Sequence, residues 1–153
     1  MRKLFAAVAA AAAVGIAVPV IKGLEGRSLV PYRDIVGGLT WCDGETRGAH
    51  KTRYTHAECD RITEAAAAGF EAAIRPCLPE DLPHKTRASF ISAAYNIGAA
   101  AFCRSSMSRR ALAGDLRGAC EALMLWTRAG GREVRGLVNR RTAERKLCLE
   151  GLS

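Results

Sequence analysis

The chain has 153 residues, of which 49% are hydrophobic and 25% are charged, so its composition excludes a disordered protein and fits one domain with a buried core. The formal net charge of +8 favours an anionic partner, which could be a nucleic acid, a membrane surface or an acidic polymer such as a cell wall. Charge alone does not choose among these three.

Residues 4–21 form an uncharged, Ala-rich run, LFAAVAAAAAVGIAVPVI, between the basic start MRK and Lys22. As a helix this run spans roughly 27 Å, close to the hydrocarbon core of a bilayer, and the basic start predicts that the rest of the chain is exported. Because Ala drives insertion only weakly, we expect residues 1–22 to be a weak signal-anchor that inserts, later leaves the membrane and packs against the domain formed by residues 23–153. A cleaved signal peptide and a buried core helix are the alternatives.

A short β-hairpin is predicted after this run. Tyr32 to Ile35 supplies one arm, Gly37-Gly38 supplies the turn, and Leu39 to Cys42 supplies the other arm. We expect this hairpin to form a small N-terminal lobe.

Helical periodicity dominates the rest of the chain. Thr55 and Glu58 match a capping box that opens a long helix ending near Pro76, and Asp115 is a good N-cap. We therefore expect an α+β fold, mostly helical, in which the long helix joins the hairpin lobe to a helical C-terminal lobe. The remaining helical patterns cover residues 84–96, 104–113, 116–128 and 134–150.

Six cysteines are spread along the chain without a Cys-x-x-Cys pair or a Cys/His cluster, which argues against zinc and against a thioredoxin-type motif. Their even number favours disulfides in an oxidising compartment, the alternative being buried free thiols. Cys103 and Cys120 flank a predicted helix and are candidates for one bridge. The other pairings cannot be deduced, because six cysteines allow many connectivities.

Two acids and a threonine surround the predicted hairpin. Glu25 follows the apolar run, Asp34 lies on the first arm and Thr40 lies on the second arm. A hairpin folded against a helix end brings these groups to one cleft wall. Glycoside cleavage needs one carboxylic acid to protonate the leaving oxygen and a second carboxylate to orient water or to attack, and a Thr hydroxyl can hold that water. The alternative is that Glu25 and Asp34 are ordinary surface acids.

The segment containing these residues, GLEGRSLVPYRDIVGGLTWCDGETRG, resembles the active-site region of phage-type lysozymes, glycoside hydrolase family 24. The stretches AAYNIGAAAFCRSSMSRRALAGDLRGACEAL and GLVNRRTAERKLCLEG resemble the C-terminal lobe of that family. The resemblance implies a lysozyme-like fold and hydrolysis of the β-1,4 bond between N-acetylmuramic acid and N-acetylglucosamine in peptidoglycan, which lyses the host cell. It implies Glu25 as the general acid and Asp34 with Thr40 as the groups that position water. Tyr32 and Asn96 are candidate substrate contacts.

The N-terminal run resembles the signal-anchor-release segment of lambdoid phage endolysins. This implies a protein that is exported, is held in the host inner membrane by residues 4–21, and is then released to the periplasm. One position departs from the family pattern, because Glu45 stands where many relatives have His. A role of that His in structure or substrate contact therefore does not carry over to this chain.

Rival functions differ in how well the residues fit them. Asp34 and Thr40 argue against a lytic transglycosylase, whose chemistry can dispense with a second carboxylate, while a membrane-anchored wall-binding protein without activity stays open. A nucleic-acid binder is disfavoured, because the basic C-terminal half offers no aromatic stacking platform. The three histidines lack metal-ligand spacing, so we expect no metal or cofactor, and we expect a monomer.

Overall fold

The computed structural model describes all 153 residues. Seven α-helices and two short antiparallel hairpins confirm the predicted α+β class and its largely helical composition. The helices are α1 (Arg2–Glu25), α2 (His56–Ile74), α3 (His84–Ile97), α4 (Ala99–Arg104), α5 (Ser106–Leu112), α6 (Leu116–Ala122) and α7 (Arg135–Glu150). The strands are β1 (Ser28–Arg33), β2 (Leu39–Cys42), β3 (Arg128–Ala129) and β4 (Arg132–Glu133).

The first helix, α1, is continuous across the predicted segment boundary at residue 22 and ends at Glu25. Gly26 follows it, with a φ of 70° that favours glycine. An 18-residue window within it has a mean hydropathy of 2.5, so it is long and apolar enough to cross a membrane. Ala13, Ala17 and Ile21 are nevertheless buried in the main core, where α1 packs against α3 and α2. The small Ala side chains allow this close approach of helices.

The first hairpin differs from its prediction in where the turn begins. β1 starts at Ser28 and ends at Arg33, so Ile35 lies in the turn rather than in the strand. The physical reason is the side chain of Asp34, which accepts hydrogen bonds from the backbone N–H groups of Val36 and Gly38 and so folds the turn around itself.

Two predicted helix starts are confirmed. The Thr55 side chain accepts a hydrogen bond from the Glu58 N–H, while the Glu58 carboxylate accepts one from the Thr55 N–H, which is a complete capping box for α2. The Asp115 side chain caps α6 by accepting a hydrogen bond from the Gly118 N–H. The helix predicted over residues 116–128 is shorter than expected, because α6 ends at Ala122 and gives way to a 3₁₀ turn and the β3–β4 hairpin.

All six cysteines form disulfides, which confirms the predicted framework but corrects one pairing. Cys103 and Cys120 are not bonded to each other. Cys103 bonds to Cys77, which follows α2, and Cys120 bonds to Cys148 on α7, with Cα–Cα separations of 5.4 and 5.6 Å. The physical reason is tertiary packing, which brings each of these cysteines against a different element of the chain. The third bridge joins Cys42 to Cys59 and ties β2 to α2.

Candidate active site

Glu25 is the last residue of α1, and it is held from the other end of the chain. The Nη1 atom of Arg140, on α7, donates a hydrogen bond of 2.9 Å to Glu25 Oε1, and its Nη2 atom donates one of 3.1 Å to the carbonyl of Leu24. Both side chains of the ion pair are largely buried. The carboxylate of Glu25 therefore has one fixed oxygen and one oxygen, Oε2, that accepts no hydrogen bond from the protein.

Gly44 lies directly against this second oxygen. A Cβ atom at residue 44 would lie 2.7 Å from Glu25 Oε2, which is closer than real Cβ contacts allow, and the φ of 84° also favours glycine. The loop after β2 therefore packs its backbone onto the carboxylate. Only a residue without a side chain permits this approach.

Asp34 opens the turn between β1 and β2. Its Oδ1 atom accepts the N–H of Val36 at 3.0 Å and the N–H of Gly38 at 2.8 Å, while Oδ2 accepts no hydrogen bond from the protein. A Cβ atom at residue 38 would lie 3.1 Å from that free oxygen. The turn thus orients the carboxylate and leaves one oxygen available to a water molecule or a ligand.

Thr40 lies on β2 and pairs with Tyr32 on β1, so the two side chains share one face of the hairpin. Thr40 is buried, and its hydroxyl makes only a long contact of 3.4 Å to the carbonyl of Gly38, which is weak for a hydroxyl donor. Tyr32 is exposed. Glu25, Asp34 and Thr40 do not hydrogen-bond one another; Asp34 and Thr40 both bond to Gly38 of the hairpin, whereas Glu25 is held by Arg140 of α7.

A cluster of ion pairs fixes the segment that follows Glu25. The guanidinium of Arg27 donates to both carboxylate oxygens of Asp43, at 3.0 and 2.7 Å, and to Asp60 at 2.7 Å. The hydrogen bond with Asp43 is the main reason that the pKa of Arg27 is raised. Asp43 is buried and also accepts from the hydroxyl of Thr63 on α2. The sequence analysis did not predict a role for Arg27 or Asp43, because in the sequence they are two separate charged residues with no recognisable pattern.

Glu45 organises the loop in which many relatives have His. Its Oε1 atom accepts the N–H groups of Thr46 and Arg47 at 2.9 and 2.8 Å, and both of its oxygens accept from the Arg47 side chain. Burial raises the pKa of Glu45, but these hydrogen bonds outweigh burial and hold that pKa below its ordinary value. The Arg47 guanidinium in turn lies 5.1 Å from the ring centroid of Phe70. In this chain, residue 45 therefore has a structural role in the loop.

The end of α3 contributes a second set of polar groups. The Tyr95 hydroxyl donates to the carbonyl of Asp43 at 2.6 Å, and burial, together with the carboxylates of Glu25, Glu45 and Asp43, raises the pKa of Tyr95. Asn96 Oδ1 accepts from Arg141 Nη2 at 2.9 Å.

Arg141 is fully buried beside Glu144. Its Nη2 atom donates to Glu144 Oε1 at 3.2 Å, and its Nε atom lies 2.8 Å from Oε2 without hydrogen-bonding geometry. The Ser92 hydroxyl also donates to Glu144 Oε1, at 2.8 Å. Burial raises the pKa of Glu144 to about 7, although Arg141 and Ser92 oppose the shift. Neighbouring arginines of α7 thus have different tasks, since Arg140 holds Glu25 and Arg141 holds Asn96.

Comparisons with known proteins identify the family and the fold. The sequence model of the family described as Phage lysozyme matches residues 22–144. The SAR-endolysin of Enterobacteria phage PA-2 is 41% identical over 160 aligned positions, which cover 99% of this chain and 96% of that protein. The active form of the P1 phage endolysin Lyz matches with a TM-score of 0.82 at 26% identity, covering 97% of this chain and 95% of that one. The secreted inactive form of Lyz matches with a TM-score of 0.60 at 25% identity, covering 88% and 96%.

The fold therefore resembles the active form of Lyz more than its inactive form, and it does so over a larger part of the chain. The family match includes Glu25, Asp34, Thr40 and Arg140 within residues 22–144. The relative from phage PA-2 aligns over nearly the full length of both proteins. The chain belongs to the phage lysozyme family and is a muramidase, a glycoside hydrolase.

Proposed function

We propose that Glu25 is the general acid in the hydrolysis of the β-1,4 bond between N-acetylmuramic acid and N-acetylglucosamine in peptidoglycan. Glu25 gives its proton to the glycosidic oxygen as the bond to that oxygen breaks. The observation that carries this assignment is the fixed carboxylate, with Oε1 bound to Arg140 at 2.9 Å and Oε2 free beside the backbone of Gly44. A proton on Oε2 faces no competing acceptor within the protein.

Asp34 and Thr40 position the attacking water in this proposal. Asp34 Oδ1 is occupied by the turn, whereas Oδ2 is free to accept a proton from that water as it adds to the sugar carbon. The hydroxyl of Thr40 makes only its long contact to Gly38 and can therefore hold the same water without adding charge. The new hydroxyl stays on the sugar, and the proton taken by Asp34 later returns to solvent.

Two further residues are proposed to contact the glycan. Tyr32 shares the hairpin face of Thr40 and is exposed, so its ring can lie against a sugar. The side-chain oxygen of Asn96 is occupied by Arg141, which leaves the amide N–H₂ as a donor for an acetamido or hydroxyl oxygen of the substrate.

The assignment is tested by Glu25→Gln, with Glu64→Gln as the control at an exposed glutamate of α2. We expect Glu25→Gln to abolish lysis of peptidoglycan while binding to the wall remains, and the control to keep full activity. A wall-binding protein without activity would be unaffected by either change. Mass spectrometry of the wild-type products separates the enzymatic alternatives, because reducing ends indicate a hydrolase and anhydro sugars indicate a lytic transglycosylase.

We further infer that the protein is exported, is held in the inner membrane by residues 4–21, and becomes active when it is released. The support for this inference is that the membrane-spanning state and the folded state exclude each other. Ala13, Ala17 and Ile21 are buried in the folded core, so they cannot face lipid at the same time. While the run spans the bilayer, Glu25 is held at the membrane surface, away from Arg140 and Gly44. Release lets α1 dock and places the acid.

A variant that cannot leave the membrane tests this switch. Ala6, Ala7 and Ala11 are exposed in the folded protein, so Leu at these positions strengthens membrane insertion without disturbing the core. We expect the triple Leu variant to be exported but inactive, and a triple Ser variant at the same positions to be released and active. Full activity of the Leu variant in the membrane fraction would refute the switch and leave the muramidase assignment standing. An intact N-terminus on the periplasmic protein would support release over cleavage.

A further inference from the structure

We infer that the folded, released enzyme still binds the surface of an anionic phospholipid bilayer through the first two turns of α1. We call residues 1–8 the apolar tip. The inference concerns the state after release, in which the rest of α1 is packed in the domain. It is independent of which residues cut the glycan, and its test uses the soluble, folded protein.

The apolar tip carries large hydrophobic side chains that the domain does not cover. Leu4, Phe5 and Val8 are 67%, 69% and 59% exposed, and Met1 is exposed as well. Their spacing places them on one face of the helix. At the helical rotation of about 100° per residue, this face lies opposite the side that buries Ala13, Ala17, Val18 and Ile21. Folding of the domain therefore leaves this face bare.

No other large apolar side chain of α1 is exposed. Continuing along the same helix face from Val8, the positions are Ala12, Gly15 and Pro19. Large apolar surface on this side of α1 is thus concentrated at the end farthest from Glu25. Contiguous exposed apolar surface of this kind marks an interaction site more often than an ordinary soluble surface.

The charge of the tip identifies its partner. Arg2 and Lys3 flank the apolar residues, and Glu25 is the first acidic residue of the chain. Arg2 has a single carboxylate neighbour, Glu80 at 3.7 Å, and both side chains are almost fully exposed, so this pair is weak. Apolar side chains beside exposed cations, of which Arg2 is only weakly paired, fit the boundary of an anionic lipid leaflet.

The geometry favours binding at the surface over a return to the spanning state. Eight helical residues extend about 12 Å, far short of the roughly 30 Å of a bilayer core. The following part of α1 is locked into the domain, with Ala13 and Ile21 in the core and Lys22 paired with Asp60 at 2.6 Å. Phe5 and Glu25 are twenty residues apart on one helix, or about 30 Å. The proposed acid therefore lies about 30 Å along the helix from the residues that contact the lipid.

Vesicle sedimentation with the purified, folded enzyme tests the inference. We expect binding to vesicles of phosphatidylglycerol and phosphatidylcholine, and at least about tenfold less binding to phosphatidylcholine alone, since each cation near an anionic surface contributes roughly fivefold. Leu4→Ser with Phe5→Ser should lower binding at least about tenfold. The matched control is Leu112→Ser with Leu125→Ser, which removes two exposed leucines elsewhere and should leave binding unchanged.

Two further measurements test whether the apolar tip, and no other part of the protein, causes binding to the vesicles. Arg2→Gln with Lys3→Gln should remove most of the preference for anionic vesicles without changing hydrolysis of soluble peptidoglycan fragments. In Phe5→Trp, the fluorescence of the new Trp should shift to the blue on binding. Equal binding of the tip variant and the wild type would overturn the inference, as would pelleting without vesicles, which indicates self-association. Loss of hydrolysis of soluble fragments by vesicle-bound enzyme would also overturn it, because it indicates reinsertion of the whole helix.

Discussion

Gly44→Ala is expected to inactivate the enzyme by moving Glu25. The added Cβ atom would lie 2.7 Å from Glu25 Oε2 and 3.0 Å from its Cδ, whereas ordinary contact begins at 3.4 Å. The carboxylate must therefore shift by about 0.7 Å, the difference between 3.4 and 2.7 Å. That shift strains its 2.9 Å hydrogen bond from Arg140 on the opposite side.

The effect on catalysis can be separated from the effect on the backbone. Gly44 and Gly48 have similar φ angles, 84° and 80°, but nothing lies within 4 Å of a Cβ atom at residue 48. Each Ala substitution costs roughly 1–2 kcal/mol for a left-handed backbone. Only Gly44→Ala also displaces the acid. Since a misplacement of about 1 Å can lower a rate on the order of a hundredfold, we expect kcat to fall at least about tenfold in Gly44→Ala and little in Gly48→Ala.

The assay compares both variants with the wild type in two measurements. Urea unfolding gives the free energy of unfolding, which should fall in both variants because of the left-handed backbone, and further in Gly44→Ala, where the displaced carboxylate also strains its hydrogen bond from Arg140. Initial rates on soluble peptidoglycan fragments give kcat and KM. Equal kcat values for the two variants would refute the reasoning, because they would mean that the position of the Glu25 carboxylate does not limit the reaction.

Two other predictions concern stability. Replacing both Cys42 and Cys59 by Ala opens a bridge with a sequence separation of 17, which should lower the free energy of unfolding by about 3 kcal/mol; an unchanged urea midpoint would contradict a stabilising role. Burial raises the pKa of Glu144 from its ordinary value of 4.5 to about 7, so the folded state binds this proton more tightly than the unfolded state. Its contribution to stability is therefore complete below about pH 4.5 and is lost as pH rises through about 7. Glu144→Gln should remove that slope from unfolding curves measured between these pH values, and an unchanged slope would assign it to another group.

The sequence was sufficient to predict the elements that depend on contacts between residues close together in the chain. The capping box of Thr55 and Glu58 and the cap at Asp115 depend on residues three positions apart, and the structure has both. The first arm of the hairpin was placed too late, because the prediction treated Asp34 as a strand residue. Its carboxylate instead organises the turn. A short polar side chain that competes for backbone N–H groups can override strand periodicity.

The features that sequence reasoning missed depend on contacts between distant parts of the chain. The partner of Glu25 is Arg140, 115 positions away, and nothing in the basic C-terminal half distinguishes that arginine from its neighbours. The pairing of Cys103 and Cys120 failed for the same reason, since their true partners come from other elements. Glu45 was unusual only by comparison with phage-type lysozymes, many of which have His at this position. Its role in the loop depends on hydrogen bonds that the sequence does not reveal.

The placement of the proposed acid and the docking of α1 are one structural event. Three positions before Glu25, Lys22 pairs with Asp60, and two positions after it, Arg27 binds both Asp60 and Asp43. Ion pairs on both sides thus fasten the end of α1 to α2 and to the loop after β2. In the proposed membrane-spanning form, Lys22 and Arg27 are held beside the bilayer, so we expect their pairs with Asp60 of α2 to be absent. In the proposed switch, the contacts that dock the helix also fix Glu25, so we expect partial docking to leave the proposed acid misplaced and the enzyme inactive until release is complete.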